Sequence, residues 1–139
     1  MLRVYTEIII EASAEEIWTN LLNFAEYDRW NPYIKSIEGN AKKDEFLIVQ
    51  FPTVKMKTKV NDIIEKHMLS WKGKMVINGL LDSIHVFRIT KISENCCLFE
   101  QYETFKGIMT SFLARKIKTS AQADFTKMNT ALKRKCENR

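Results

Sequence analysis

Metal and disulfide chemistry have little to work with in this chain. Its two histidines, His67 and His85, lie far apart, and its three cysteines are Cys96, Cys97 and Cys136. An odd count, with two neighbours that point to opposite faces of a strand, is no disulfide framework. No Cys-x-x-Cys occurs, so no structural zinc site is expected, and the thiols read as reduced and cytoplasmic. The four glycines are dispersed, and there is neither a phosphate-cradling glycine loop nor a Gly-x-Ser-x-Gly nucleophile turn. No apolar run approaches the ~18 residues that would span a bilayer. The longest near the start, Ile8-Ile9-Ile10, is closed by Glu7 and Glu11. No basic-then-apolar leader precedes the first strand, so secretion is not expected. Neither a repeat nor a low-complexity linker divides the 139 residues, which read as one domain, 1–139.

Charge is present, and it is uneven. The formal net charge is +5. Lys106, Arg115, Lys116, Lys118, Lys127, Lys133, Arg134, Lys135 and Arg139 crowd the last quarter, against Asp124 and Glu137. Lys55, Lys57 and Lys59 form a second cluster. The first of these clusters can serve nucleic acid or an anionic membrane surface. No nucleic-acid motif accompanies them, and cations near a helix C-terminus favour its dipole. Neither nucleic-acid binding nor membrane insertion is expected, and a homodimer is allowed.

Period-two alternation marks the strands. Leu2, Val4, Thr6, Ile8 and Ile10 alternate with Arg3, Tyr5, Glu7, Ile9 and Glu11, as in a half-buried strand. Ser13 then caps a helix, with Glu16 three residues on as a capping box. Ile17, Trp18, Leu21 and Leu22 give it one apolar face, with Trp18 as a core anchor. Asn23 ends it, and a second short helix runs from Phe24 to Arg29. Pro32 keeps Asn31 out of the helical region, so the chain turns out there. Strands are expected over Ile34–Glu38, Glu45–Phe51, Lys55–Glu65, Leu69–Ile77, Ser83–Ile92 and Cys96–Lys106. Gly39-Asn40, Pro52, Asn78-Gly79 and Ser93-Glu94-Asn95 punctuate them, which reads as one antiparallel meander.

From Ile108 to about Glu137 the pattern is helical. Met109, Phe112 and Leu113 form one apolar stripe. Ala121, Phe125, Met128 and Leu132 form another, rotated by more than a quarter turn. One straight helix cannot bury both against one surface. The expectation is a kink or break near Lys118–Ala121, with Thr119 and Ser120 able to cap a new start.

Several segments carry a family resemblance. They are Ser13-Ala14-Glu15-Glu16-Ile17-Trp18, Phe24 to Pro32 through Trp30-Asn31-Pro32, and Phe125-x-x-Met128-Asn129-x-Ala131-Leu132-Lys133. Leu69-Ser70-Trp71-x-Gly73, His85-x-Phe87-x-Ile89 and Glu103-x-Phe105-x-Gly107 join them. In this order they resemble the START/Bet v 1-like (SRPBCC) superfamily, most of all its small bacterial polyketide cyclase/dehydrase-like members. The resemblance implies an α+β helix-grip fold, in which a curved antiparallel sheet wraps a long C-terminal helix and two short helices follow the first strand. It also implies a cavity between sheet and helix, without metal or nucleotide cofactor.

Side chains assigned to the inward faces then become candidates. Met56, Met75, Met109 and Met128 adapt to irregular apolar volume. His85 shares parity with Phe87 and Ile89, while Gln101 and Glu103 share it with Phe99 and Phe105. A carboxylate and an imidazole near a cavity can act as general acid and base, which makes Glu103 and His85 the catalytic candidates. They can equally be structural, with Glu103 held by a cation or amide and His85 by a carbonyl. The candidate ligand-binding set is Trp30 and Tyr33 at the mouth with Met56, Trp71, Met75, His85, Phe87, Glu103, Met109 and Phe125. The leading expectation is binding of a small hydrophobic or amphipathic molecule such as a lipid. The alternatives are a cyclase or dehydratase acting on a polyketide-like substrate and an interaction module of the Hsp90 co-chaperone activator type.

Overall fold

The computed structural model describes residues 1–74 and 79–138. The chain starts with β1 (Leu2–Ile10), followed by α1 (Ala14–Leu22), a 3-10 turn (Phe24–Glu26) and α2 (Tyr27–Trp30). Six strands come next: β2 (Ser36–Glu38), β3 (Phe46–Gln50), β4 (Lys55–Ile64), β5 (Met68–Lys74), β6 (Asp82–Ser93) and β7 (Cys96–Lys106). The long helix α3 (Thr110–Glu137) closes the chain. All seven strands form one antiparallel sheet in the order β1-β7-β6-β5-β4-β3-β2. The first strand therefore pairs with the last, and α1 and α2 carry the chain from one sheet edge to the other. This is the helix-grip arrangement.

Local chemistry sets the early turns. The Ser13 hydroxyl accepts the Glu16 backbone N–H at 3.1 Å, the cap that the sequence predicts. Ile17, Trp18 and Leu21 are buried beneath it. The Tyr27 hydroxyl donates to the Leu21 carbonyl, which fastens α2 under α1. Asn31 has extended backbone, and its side-chain oxygen accepts the backbone N–H groups of Tyr33 at 2.9 Å and Ile34 at 2.8 Å. That turn, aided by Pro32, delays β2 until Ser36, two residues later than the alternation suggests. At the other end of the sheet Gly107 has φ +122°, and a Cβ there would meet the Leu80 carbonyl oxygen at 2.5 Å. Only glycine passes there between β7 and α3.

Register irregularities between Val60 and Asp62, and between Lys91 and Ser93, add local bend to the sheet. On its concave side Leu47, Val49, Val60, Leu69, Phe87 and Phe99 are fully buried with Met128 and Leu132 of α3. The helix lies along β1 and β7 and against α1.

The structure corrects the expected break in α3, which is a single uninterrupted helix. Ile117 joins the two stripes. Leu113, Ile117, Ala121, Phe125, Met128, Leu132 and Cys136 follow one another at steps of four or three. Steps of four make a stripe wind slowly around a helix, so it can follow a twisted sheet without a break. Phe112 lies off this stripe and is 84% exposed. Thr119 and Ser120 are mid-helix, not caps.

Candidate functional site

The concave face has two ends of different character. Toward the middle of α3 it is closed by rings. His85 stacks at a tilt on Phe87 with centroids 4.6 Å apart, on Phe125 at 4.8 Å and on Trp71 at 5.3 Å. Tyr33 bridges Phe125 at 5.9 Å and Phe51 at 5.1 Å. Toward the start of α3 the packing loosens. Met56, Ser83, Glu103 and Phe105 of the sheet are half-buried there, as are Met109, Leu113 and Ile117. Gly73 supplies no side chain on this face, and a Cβ there would sit 3.4 Å from Met56 Cε.

A buried chain of hydrogen bonds runs to the boundary between the two ends. The Thr6 hydroxyl donates to the Gln101 carbonyl at 2.7 Å and accepts from Asn129 Nδ2 at 2.8 Å. Asn129 Oδ1 accepts from Gln101 Nε2 at 2.7 Å, and Gln101 Oε1 faces His85 Nε2 at 2.9 Å. Gln101 Nε2 also reaches the Phe125 carbonyl at 3.5 Å, and because the single Thr6 hydroxyl proton goes to the Gln101 backbone carbonyl, the direction of the chain follows from Thr6 onward. Gln101 presents an oxygen to the imidazole, so His85 Nε2 is the donor in that pair. Nδ1 is left facing Glu103 Oε1 at 3.4 Å. His85 is 1% exposed and Glu103 14%. The separation is long for a hydrogen bond, so the two groups are adjacent without being locked together.

Tyr33 adds a third polar group. Burial pushes its phenol well above the ordinary range, and the charges of Glu103 and Asp124 push it further, so it stays a hydrogen-bond donor.

The structure brings Tyr33, Trp71, His85, Phe87 and Phe125 into ring contact, with Glu103 on His85. Met56 and Met109 lie at the looser end, where the Met109 N–H donates to the Leu80 carbonyl at 3.1 Å. Trp30 sits apart from this set. Its ring packs edge-on to Tyr27 at 5.1 Å and lines an outer groove with Ala131 and Arg134. Met75 lies outside the described residues, as does the end of the strand expected to reach Ile77. Asn129 and Thr6 were not among the sequence candidates. Asn129 is four residues from Phe125 in a run of buried helix positions, and a polar side chain at apolar spacing was the legible sign. No group of histidine, cysteine and carboxylate side chains suited to a metal ion occurs among the described residues.

The family model described as polyketide cyclase / dehydrase and lipid transport matches residues 1–137. No curated protein matches the chain. Solved structures match closely in shape and distantly in sequence. A hypothetical protein of Helicobacter pylori is 14% identical with a TM-score of 0.81, over 97% of this chain and 88% of that one. A START superfamily protein of Mycobacterium smegmatis is 18% identical with a TM-score of 0.77, over 98% and 97%. A truncated norcoclaurine synthase of Thalictrum flavum is 14% identical with a TM-score of 0.75, over 99% and 94%. At these identities the likeness is one of fold.

Proposed function

The chain belongs to the polyketide cyclase / dehydrase and lipid transport family, and we propose that it binds a small amphipathic molecule on the concave face of its sheet. The apolar body of the ligand lies at the looser end, against Met56, Phe105, Met109 and Ile117. Its polar head meets Glu103, His85 and Tyr33. The observation that carries this reading is the hydrogen-bonded chain from Thr6 to His85, which ends on Glu103 at the boundary between packed rings and looser apolar side chains. Apolar sites fix ligand orientation with a few convergent polar groups of this kind. The free thiols of Cys96, Cys97 and Cys136 fit a reducing compartment such as the cytoplasm.

The buried imidazole beside Glu103 also supports a second reading, acid–base catalysis on a polyketide-like or aldol-type substrate. Glu103 would take a proton from carbon next to a carbonyl, and Tyr33 or the His85–Glu103 pair would return one to the departing or developing oxygen. That cyclase or dehydratase chemistry needs no cofactor.

A neutral apolar dye such as Nile red separates the readings. Met109→Trp and Ile117→Trp, with the fold checked by circular dichroism, are expected to abolish dye binding. Glu103→Gln is expected to leave it nearly unchanged. Wild-type dye binding by both tryptophan variants would overturn the ligand reading and favour an interaction module. If Glu103→Gln keeps substrate affinity and loses turnover, the enzyme reading holds.

A further inference from the structure

The outer, convex face of the sheet is zoned by charge. At one end the charges are mixed and engaged. Arg88 stands opposite Glu100 across the β6–β7 ladder, the Tyr5 hydroxyl bonds both Glu7 and Glu100, and Arg3 lies 4.3 Å from the Tyr102 ring centroid. At the other end Lys57, Lys59, Lys72, Lys74 and Lys106 line a groove of ≈ 510 Å³ with the half-exposed ring of Phe46. Lys59 and Lys72 are direct cross-strand partners, an arrangement that like charges disfavour. One carboxylate, Asp82, borders the groove, with Lys74 and Lys106 as its cross-strand neighbours. Its Oδ2 accepts the Gly79 backbone N–H at 2.9 Å. Among the described residues no ion pair engages any of the five lysines. The basic cluster on α3 differs in this respect. Lys133 there is committed to the fold, bonding Glu137 at 2.6 Å and the Ile9 carbonyl at 2.8 Å.

Five ammonium groups facing a single carboxylate around one concavity cost stability in the empty protein, and an anion placed there relieves the repulsion. We propose that this groove is a binding site for a compact organic polyphosphate, with its phosphates among the five ammonium groups and its ring on Phe46. The concavity has the size of a small-molecule site and suits a discrete molecule better than a flat anionic bilayer. The Lys57 ammonium already sits 4.4 Å from the Phe46 centroid, so charge and ring recognition are adjacent. The site is separate from the concave face and does not depend on what binds there.

Calorimetric titration with inorganic tripolyphosphate and with ATP tests the proposal. The wild type is expected to bind both saturably at one site, more weakly as salt rises. Lys59→Glu with Lys72→Glu should weaken both by about tenfold or more, whereas the equal charge change Lys116→Glu with Lys118→Glu should do far less. Phe46→Ala should weaken ATP and spare tripolyphosphate. Thermal melts of the exposed-lysine variants, expected to match or exceed the wild type, confirm that they fold. Equal losses in the two charge-reversed pairs would reduce the effect to net charge and overturn the site. So would absence of saturable binding, including the case where only anionic lipid vesicles bind. An unchanged ATP affinity in Phe46→Ala would overturn the ring contact.

Discussion

Gln101 stands at the centre of the buried polar chain, fully enclosed, with the imidazole on one side of its amide and Asn129 on the other. Gln101→Leu removes both partners at once and leaves the His85 Nε2–H and Asn129 Oδ1 unpaired. Each buried polar group left so costs about 1–3 kcal/mol. The variant should therefore be clearly destabilised in urea titration, while Glu103→Gln, at the half-buried end of the chain, should shift the midpoint little. Equal losses in the two would mean that Glu103, not Gln101, anchors the chain. The tryptophans divide in the same way. Trp18 is 7% exposed on the core stripe of α1, whereas Trp30 is half-buried at the surface. Trp18→Ala should cost about 3–5 kcal/mol, as large-to-small core changes do. Trp30→Ala should cost visibly less, and a reversed order would show that the outer contact of Trp30 on α3 carries more of the fold than its burial indicates.

At the scale of the element, α3 is one helix with two roles. Phe125, Met128, Asn129, Leu132 and Cys136 are buried, and Lys133 and Glu137 tie the C-terminal end to the backbone of Ile9 and Glu11. Among residues 111–120 none is fully buried. Local stability follows buried contact, so amide exchange should be slow over 125–136 and much faster over 111–120. Uniform protection along the helix would refute this division. Leu132→Ala should cost about 2–5 kcal/mol. Phe112→Ser should leave the denaturation midpoint within about 0.5 kcal/mol of the wild type, since that ring contributes almost no burial.

For the whole molecule, several buried acids resist ionisation. Burial pushes the Cys136 thiol up to about 11, and burial likewise raises the phenols of Tyr27 and Tyr33. The unfolded chain releases these protons first as pH rises, so it binds fewer protons than the folded chain over that interval. Stability is then fully present below the ordinary thiol and phenol values and declines above them, through about pH 11 for Cys136. A urea midpoint that falls steadily above pH 9 is expected, with a shallower fall in Tyr27→Phe. A midpoint that is flat up to pH 11 would contradict the burial of these groups. At pH 8 Cys136 should also react with iodoacetamide far more slowly than an exposed thiol does.

Periodicity and capping are local properties, and they were enough to read the element order, the inward parity of His85 and Glu103 and the Ser13 cap directly from the residues. The segments quoted for the family resemblance supplied the helix-grip topology, which short-range pattern could not have given. Two things escaped. The continuity of α3 depends on Ile117 linking stripes that look out of phase, and only a twisted partner surface makes a slowly winding stripe buriable. The polar chain joins Thr6, His85, Gln101 and Asn129 across as many as 123 residues. The basic groove gathers lysines from β4, β5 and β7, whereas the sequence groups Lys57 and Lys59 with Lys55, groups Lys106 with the C-terminal cations, and leaves Lys72 and Lys74 out of both clusters. Which side chains share a face is determined by the step between residues along one element. Which faces meet is decided by strand register and sheet curvature, and those depend on every strand at once.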